Sequence, residues 1–208
     1  MIKRADLLAD ITTYYAGKLA EHGNTPRGVD WNGLDSQQLR FKQLCQLIAP
    51  NAPYSIADFG CGYGALYEHL NSRGDTFEYV GIDASEEMID SARKRLTANS
   101  NAVFVVDCNI TQPFDYVVAS GVFNVHVGRS SEEWVEYVED TLEMMFSQAK
   151  LGVAFNCLTS YSDKDKMRPD LYYADPLYLF DLCKQRYSPH VALLHDYGLY
   201  EFTILVRK

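Results

Sequence analysis

Ser55-Ile56-Ala57-Asp58-Phe59-Gly60-Cys61-Gly62-Tyr63-Gly64-Ala65-Leu66 joins a short apolar run to a helical pattern through three glycines at alternate positions. A run of this kind reads as a strand that turns directly into a helix. Glycines at such a turn permit φ above zero and let a ligand lie against backbone with no Cβ in the way. Dinucleotide-binding turns use a related device with a different spacing. Here the spacing is GxGxG, and Asp58 stands two residues before the first glycine. A carboxylate in that place repels a pyrophosphate but can receive the ammonium of an amino-acid-like ligand.

Working outward, short β-branched or aromatic runs alternate with stretches of helical spacing, the signature of parallel βαβ units. Tyr54 to Phe59 is the first strand, and its helix carries Leu66, Tyr67 and Leu70 on one face before Asn71-Ser72-Arg73-Gly74 ends it. Phe77 to Ile82 is the second strand, and Ser85 caps a helix running to Leu96. Ala102 to Val106 and Tyr116 to Val122 follow as strands three and four. Ser130 or Ser131 caps a long helix with Trp134, Val138, Leu142 and Met145 at helical spacing, ending near Lys150. Gly152 to Thr159 reads as strand five and Pro176 to Arg186 as a helix. Val191 to Leu194 and Glu201 to Val206 close the chain as strands. The six residues between those two are too few for a parallel crossover, so they form an antiparallel hairpin.

Asp58-Phe59-Gly60-Cys61-Gly62-Tyr63-Gly64 resembles the first motif of the class I S-adenosylmethionine-dependent methyltransferases. The resemblance implies an α/β fold: a doubly wound, mostly parallel seven-stranded sheet with an antiparallel C-terminal hairpin strand, preceded by a helical cap. Residues 1–50 would form that cap and 51–208 the Rossmann-like domain. It further implies S-adenosyl-L-methionine as cofactor and S-adenosyl-L-homocysteine as product. In that family the loop residues Asp58, Gly60, Cys61, Gly62 and Gly64 would hold the methionine part. Asp83, 19 residues after Gly64 and followed by Ala84, would accept the ribose hydroxyls. Met88 would pack near the adenine. Asp107 would take its exocyclic amine, with the backbone of Cys108 meeting a ring nitrogen. Arg40 or Gln37, from the N-terminal segment, would meet the carboxylate.

Ligands in open α/β sheets bind beyond the carboxyl ends of the strands. Ser120, Phe123, Asn124 and His126 are therefore expected to face the cofactor and the acceptor. Methyl transfer needs alignment above all, and a base only for an acceptor that holds a proton at neutral pH. His126 is the first candidate, with His195 and Asp196 of the hairpin behind it. Tyr14, Tyr15 and Trp31 of the N-terminal segment, and Tyr172 and Tyr173 of the polar 161–176 loop, are candidates for the acceptor wall. No Asn/Asp-Pro-Pro-Tyr/Phe motif follows strand four, which speaks against methylation of exocyclic nucleobase amines.

The 208 residues suit one α/β domain, and 47% hydrophobic with 23% charged residues is a globular composition. No stretch approaches the ~20 apolar residues of a membrane span, and Met1-Ile2-Lys3-Arg4 leads into no apolar signal region. A cytoplasmic protein, monomer or homodimer, is expected. Five cysteines without a CxxC pair fit reduced thiols, and no metal site is indicated. A net charge of -9 disfavours long nucleic acid. The expected activity is methyl transfer to an oxygen or nitrogen of a small molecule. A protein or RNA methyltransferase, and a cofactor-binding partner protein without catalysis, are the alternatives.

Overall fold

The computed structural model describes residues 4–49, 52–96 and 101–208. Its centre is a seven-stranded sheet in the order β3-β2-β1-β4-β5-β7-β6. The strands are β1 (Tyr54–Phe59), β2 (Phe77–Asp83), β3 (Ala102–Val106), β4 (Phe114–Ala119), β5 (Ala149–Leu158), β6 (His190–Leu194) and β7 (Glu201–Arg207). β1 through β5 pair in parallel, whereas β7 runs antiparallel to both β5 and β6. The hairpin read from the short connection is thus present, with β7 inserted between β5 and β6. The strand order reverses between β1 and β4, which is where such sheets open a ligand crevice.

Alternation along the strands builds two cores. Ala57 and Phe59 of β1 face one side, where α5 (Ser131–Gln148) and α6 (Pro176–Arg186) pack. Tyr54 and Ile56 face the other, against α2 (Leu34–Leu44), α3 (Ala65–Ser72) and α4 (Glu86–Arg95). α1 (Arg4–His22) buries Leu7 in the first core and rests on α4 and on a 3-10 turn at Pro26–Val29. Trp134, fully buried on α5, donates from Nε1 to the Phe123 carbonyl at 2.9 Å, which ties the helix to the segment after β4.

Helix starts follow local chemistry. The Ser85 hydroxyl accepts from the Met88 N–H, and Ser130 forms a reciprocal capping box with Glu133. Two strand limits differ from the sequence reading by three residues, the others by at most two. β4 stops at Ala119 rather than Val122, because Gly121 takes φ 77° and turns the chain out of the sheet. β5 starts at Ala149 rather than Gly152, since the α5 C-cap is already extended (φ -91°, ψ 134°) and leads into the strand with no loop. Among the described residues no helix is long and apolar enough to cross a membrane, all five cysteines are free thiols, and no cluster of metal-ligating side chains exists.

Candidate functional site

Two adjoining cavities lie beyond the carboxyl ends of β1, β2, β3 and β4. The first follows the glycine turn. Gly60 and Gly62 both adopt positive φ (73° and 54°) and line it, and a Cβ on Gly62 would come within 3.1 Å of Val29 Cγ1 and 3.9 Å of Met88 Sδ. The turn is held from β2: the N–H groups of Gly60 and Cys61 donate to the Ile82 carbonyl at 2.7 and 3.1 Å. The Gly62 N–H donates to Asp83 Oδ2 at 2.9 Å, so the second strand-end acid orders the loop. Asp83 Oδ1 accepts from the Ser85 N–H at 2.9 Å. Asp107 Oδ1 turns back to accept from the N–H groups of Cys108 and Asn109 at 2.7 and 2.9 Å.

Asp58, Asp83 and Asp107 all line this cavity, together with Gly60, Cys61, Gly62, Ala84, Met88, Cys108, Ser120 and Gln37, and among the described residues no lysine, arginine or histidine does. Burial pushes Asp58 up to about 7, the Tyr79 hydroxyl donating to it at 2.6 Å pulls the other way, and the charge of Asp83 adds to the rise. Burial also raises Asp83, against backbone N–H donors from Ser85, Gly62 and Ala84. An acidic charge set about one cavity suits a cationic ligand. Ser120 Oγ is buried here without a hydrogen-bond partner, and Gln37 Nε2 donates to the Tyr63 hydroxyl at 2.9 Å.

The second cavity, of about 360 Å³, shares Tyr15, Val29, Trp31 and Gly121 with the first. Burial raises the Tyr15 phenol, so it stands at this common wall as a neutral hydroxyl. Asn124, Tyr173, Lys166, Arg168, Arg40 and Glu201 line the rest. Arg40 grips Glu201 with Nε at 2.6 Å and Nη2 at 2.5 Å while its guanidinium lies 4.6 Å from the Trp31 ring centroid. Asn156 Nδ2 donates to Glu201 at 3.0 Å, and Asn156 Oδ1 accepts from the Gly121 N–H at 2.8 Å. A buried polar chain therefore runs from α2 through β7 and β5 to the turn after β4. On the other side Asp30 accepts from Tyr14 Oη at 2.8 Å and pairs with Lys18 at 2.9 Å and Arg168 at 3.1 Å.

Several residues singled out from the sequence lie elsewhere. Gly64 is turned away from the first cavity, where a Cβ would meet Leu96 Cδ1 at 2.8 Å and Phe104 Cζ at 3.1 Å; its φ of 82° serves packing. Arg40 is spent on Glu201 and borders the second cavity rather than the first. Tyr14 borders neither and supports Asp30. Phe123 is fully buried in the core, and Tyr172 packs against that core. His126 lies outside both cavities with Nε2 3.1 Å from the Pro169 carbonyl oxygen. His195 stacks beside Tyr161 and Phe202, also outside both, as is Asp196. Glu201, Asp30 and Arg168 were the polar residues that sequence reading passed over. Glu201 showed only as the start of a strand; the turn-like Arg168-Pro169-Asp170 was the one local signal for the others.

A family model described as "Methyltransferase domain" matches residues 57–147. The chain is 57% identical over 156 residues to "Putative methyltransferase Rv1506c" of Mycobacterium tuberculosis, covering 75% of this chain and 94% of that protein. Among solved structures, the "DhpI-SAM-HEP complex" aligns over 100% of both chains with a TM-score of 0.71 at 16% identity. The N-methyltransferase NodS from Bradyrhizobium japonicum in complex with S-adenosyl-l-homocysteine aligns over 96% of this chain and 98% of its own, with a TM-score of 0.67 at 14% identity.

Proposed function

Because the chain belongs to the class I S-adenosylmethionine-dependent methyltransferases, we propose that it transfers a methyl group to an oxygen or nitrogen of a small molecule bound in the second cavity. The observation that carries the cofactor half is the charge set of the first cavity: three carboxylates and, among the described residues, no basic side chain. That set suits a ligand with an ammonium, a sulfonium and a ribose diol, and it opposes a pyrophosphate. Asp58 would face the ammonium, Asp83 the ribose, and Asp107 with Cys108 the adenine, beside Met88. When bound, S-adenosylmethionine supplies an electrophilic methyl on a cationic sulfur.

The residues at the common wall would then orient and dry the reacting centre. Trp31 and Val29 exclude water, and the neutral Tyr15 hydroxyl offers a donor or acceptor without charge. The second cavity supports a small acceptor because it is bounded by Asp30, Arg40, Tyr173, Arg168 and Glu201 on several sides, and its volume is at the lower end of the few-hundred-Å³ range of small-molecule sites. Among the described residues no histidine lines either cavity.

Calorimetric titration with S-adenosylhomocysteine and with NAD is the first test. Binding of the former and not the latter is expected, and no binding of S-adenosylhomocysteine would sink the reading. Methyl-labelled S-adenosylmethionine incubated with cell extract is then expected to label the low-molecular-weight fraction. Label confined to protein or RNA overturns the small-molecule half.

A further inference from the structure

We infer that the second cavity recognises its acceptor through a monoanionic oxyanion group, a carboxylate above all, with Asn124 as the donor that reads it; this rests on the methyltransferase reading of the first cavity. Asn124 is 93% buried and lines the second cavity. Its Oδ1 accepts from the Leu158 N–H at 3.0 Å, which fixes the orientation of the amide. The Nδ2 group, with two donor hydrogens, is left without a partner among the described residues. Arg40, 94% buried on the same lining, likewise keeps Nη1 unpartnered after its two bonds to Glu201. Arg40 Nη1 is a buried donor without an acceptor, which is rare in finished protein, and the Asn124 Nδ2 group opens on the cavity, where a ligand that offers lone pairs would pair it. An ammonium placed there would meet donor against donor.

The charges agree. The whole chain carries 19 basic against 28 acidic side chains, yet the charged lining of this cavity is Arg40, Lys166 and Arg168 against Asp30 and Glu201, an excess of one positive charge. Arg40 and Arg168 are paired with carboxylates. Lys166 has only Asp165 at 3.5 Å, with both side chains more than 60% exposed, so its charge stays available. An excess of one favours a monoanion over a dianion. Trp31, Tyr15, Tyr173 and Tyr200 give the rest of the wall an aromatic character suited to a flat or ring-bearing body.

The test uses the full chain saturated with S-adenosylhomocysteine and titrated with phenylacetate, phenylacetamide and phenethylamine, which share one skeleton and differ in charge. Phenylacetate is expected to bind roughly tenfold or more tighter than phenylacetamide, with phenethylamine weakest. Asn124→Asp keeps the acceptor for Leu158 and replaces the free donor by a carboxylate oxygen, and is expected to abolish the preference. Lys166→Gln, at an exposed position that the fold does not need, is expected to weaken phenylacetate several-fold and leave phenylacetamide unchanged. Equal affinities, a preference for the amine, no binding of any probe, or a preference that survives both variants overturns the inference while leaving the cofactor reading intact. Failure of S-adenosylhomocysteine itself to bind removes that reading and this inference with it.

Discussion

Asp83 has two tasks at one carboxylate. It orders the glycine turn through the Gly62 N–H, and it presents its remaining lone pairs to the first cavity. Asp83→Ala is expected to loosen S-adenosylhomocysteine by about 1.5–3 kcal/mol, the scale of lost charge-assisted hydrogen bonds; an unchanged dissociation constant in calorimetry would refute the assignment. Asp58 adds a pH dependence whose sign follows from its raised pKa. Buried in the empty protein it keeps its proton up to about 7. Stability gained from that protonation is fully present below the ordinary carboxylate range and is lost as pH rises through about 7. A cationic ammonium needs the deprotonated form, so binding should tighten as pH rises through the same window and level off above it. Below it, affinity should fall by up to roughly tenfold per pH unit, with proton release on binding. Asp58→Asn is expected to flatten this profile, measured as dissociation constants between pH 5.5 and 8.5 in buffers of different ionisation enthalpy.

At the scale of elements, the turn after β4 carries more than its length suggests. Gly121 holds φ 77°, its N–H is taken by Asn156, and a Cβ there would stand 3.0 Å from Trp31 Nε1. Gly121→Ala combines left-handed strain of roughly 1–2 kcal/mol with displacement of the indole that walls both cavities. A lower Tm together with weaker binding of S-adenosylhomocysteine is the expected outcome; thermal melts with and without that ligand separate the two effects. The βα units were legible in the sequence because each is local: a period-2 run, a cap such as Ser85 or Ser130, and a helical stripe lie within a few residues of one another. The grouping of Asp58, Asp83 and Asp107 about one cavity was legible for the same reason, since parallel strands bring successive strand ends to one edge of the sheet. The second cavity was legible only in part: Tyr15, Trp31, Asn124 and Tyr173, singled out from the sequence, line it, but its charged pairs left no local trace. Arg40 meets Glu201 across 161 positions and Arg168 meets Asp30 across 138, and no local pattern records such pairs. His126 and His195 drew notice as residue types, and residue type does not tell which way a side chain leaves a loop.

At the scale of the whole molecule, Arg168 clasps two covers together. It reaches Asp30 and the Tyr14 hydroxyl, both at 3.1 Å, across 138 and 154 positions, while also holding Asp170. The pair with Asp30 is partly exposed, so its contribution to global stability is small, about 0–1 kcal/mol. Arg168→Gln is therefore expected to leave Tm nearly unchanged, to speed amide exchange in α1 and across residues 26–31, and to raise KM for the acceptor more than it lowers kcat. A large fall in Tm with no change in exchange would contradict this.

Tyr15, Val29, Trp31 and Gly121 line both cavities, so a ligand in one rests on side chains that a ligand in the other also touches, and the two occupancies can be thermodynamically linked through them. Whatever factor the cofactor product applies to acceptor affinity, the acceptor must return to the product in equal measure. Closing the four-state cycle by calorimetry, with each ligand titrated in the absence and presence of the other, should give one coupling constant from either direction. A value near unity would mean that neither ligand moves those four residues. A value well above it would make each chamber the other's effector, and the enzyme would hold its product most firmly while an acceptor is still at hand.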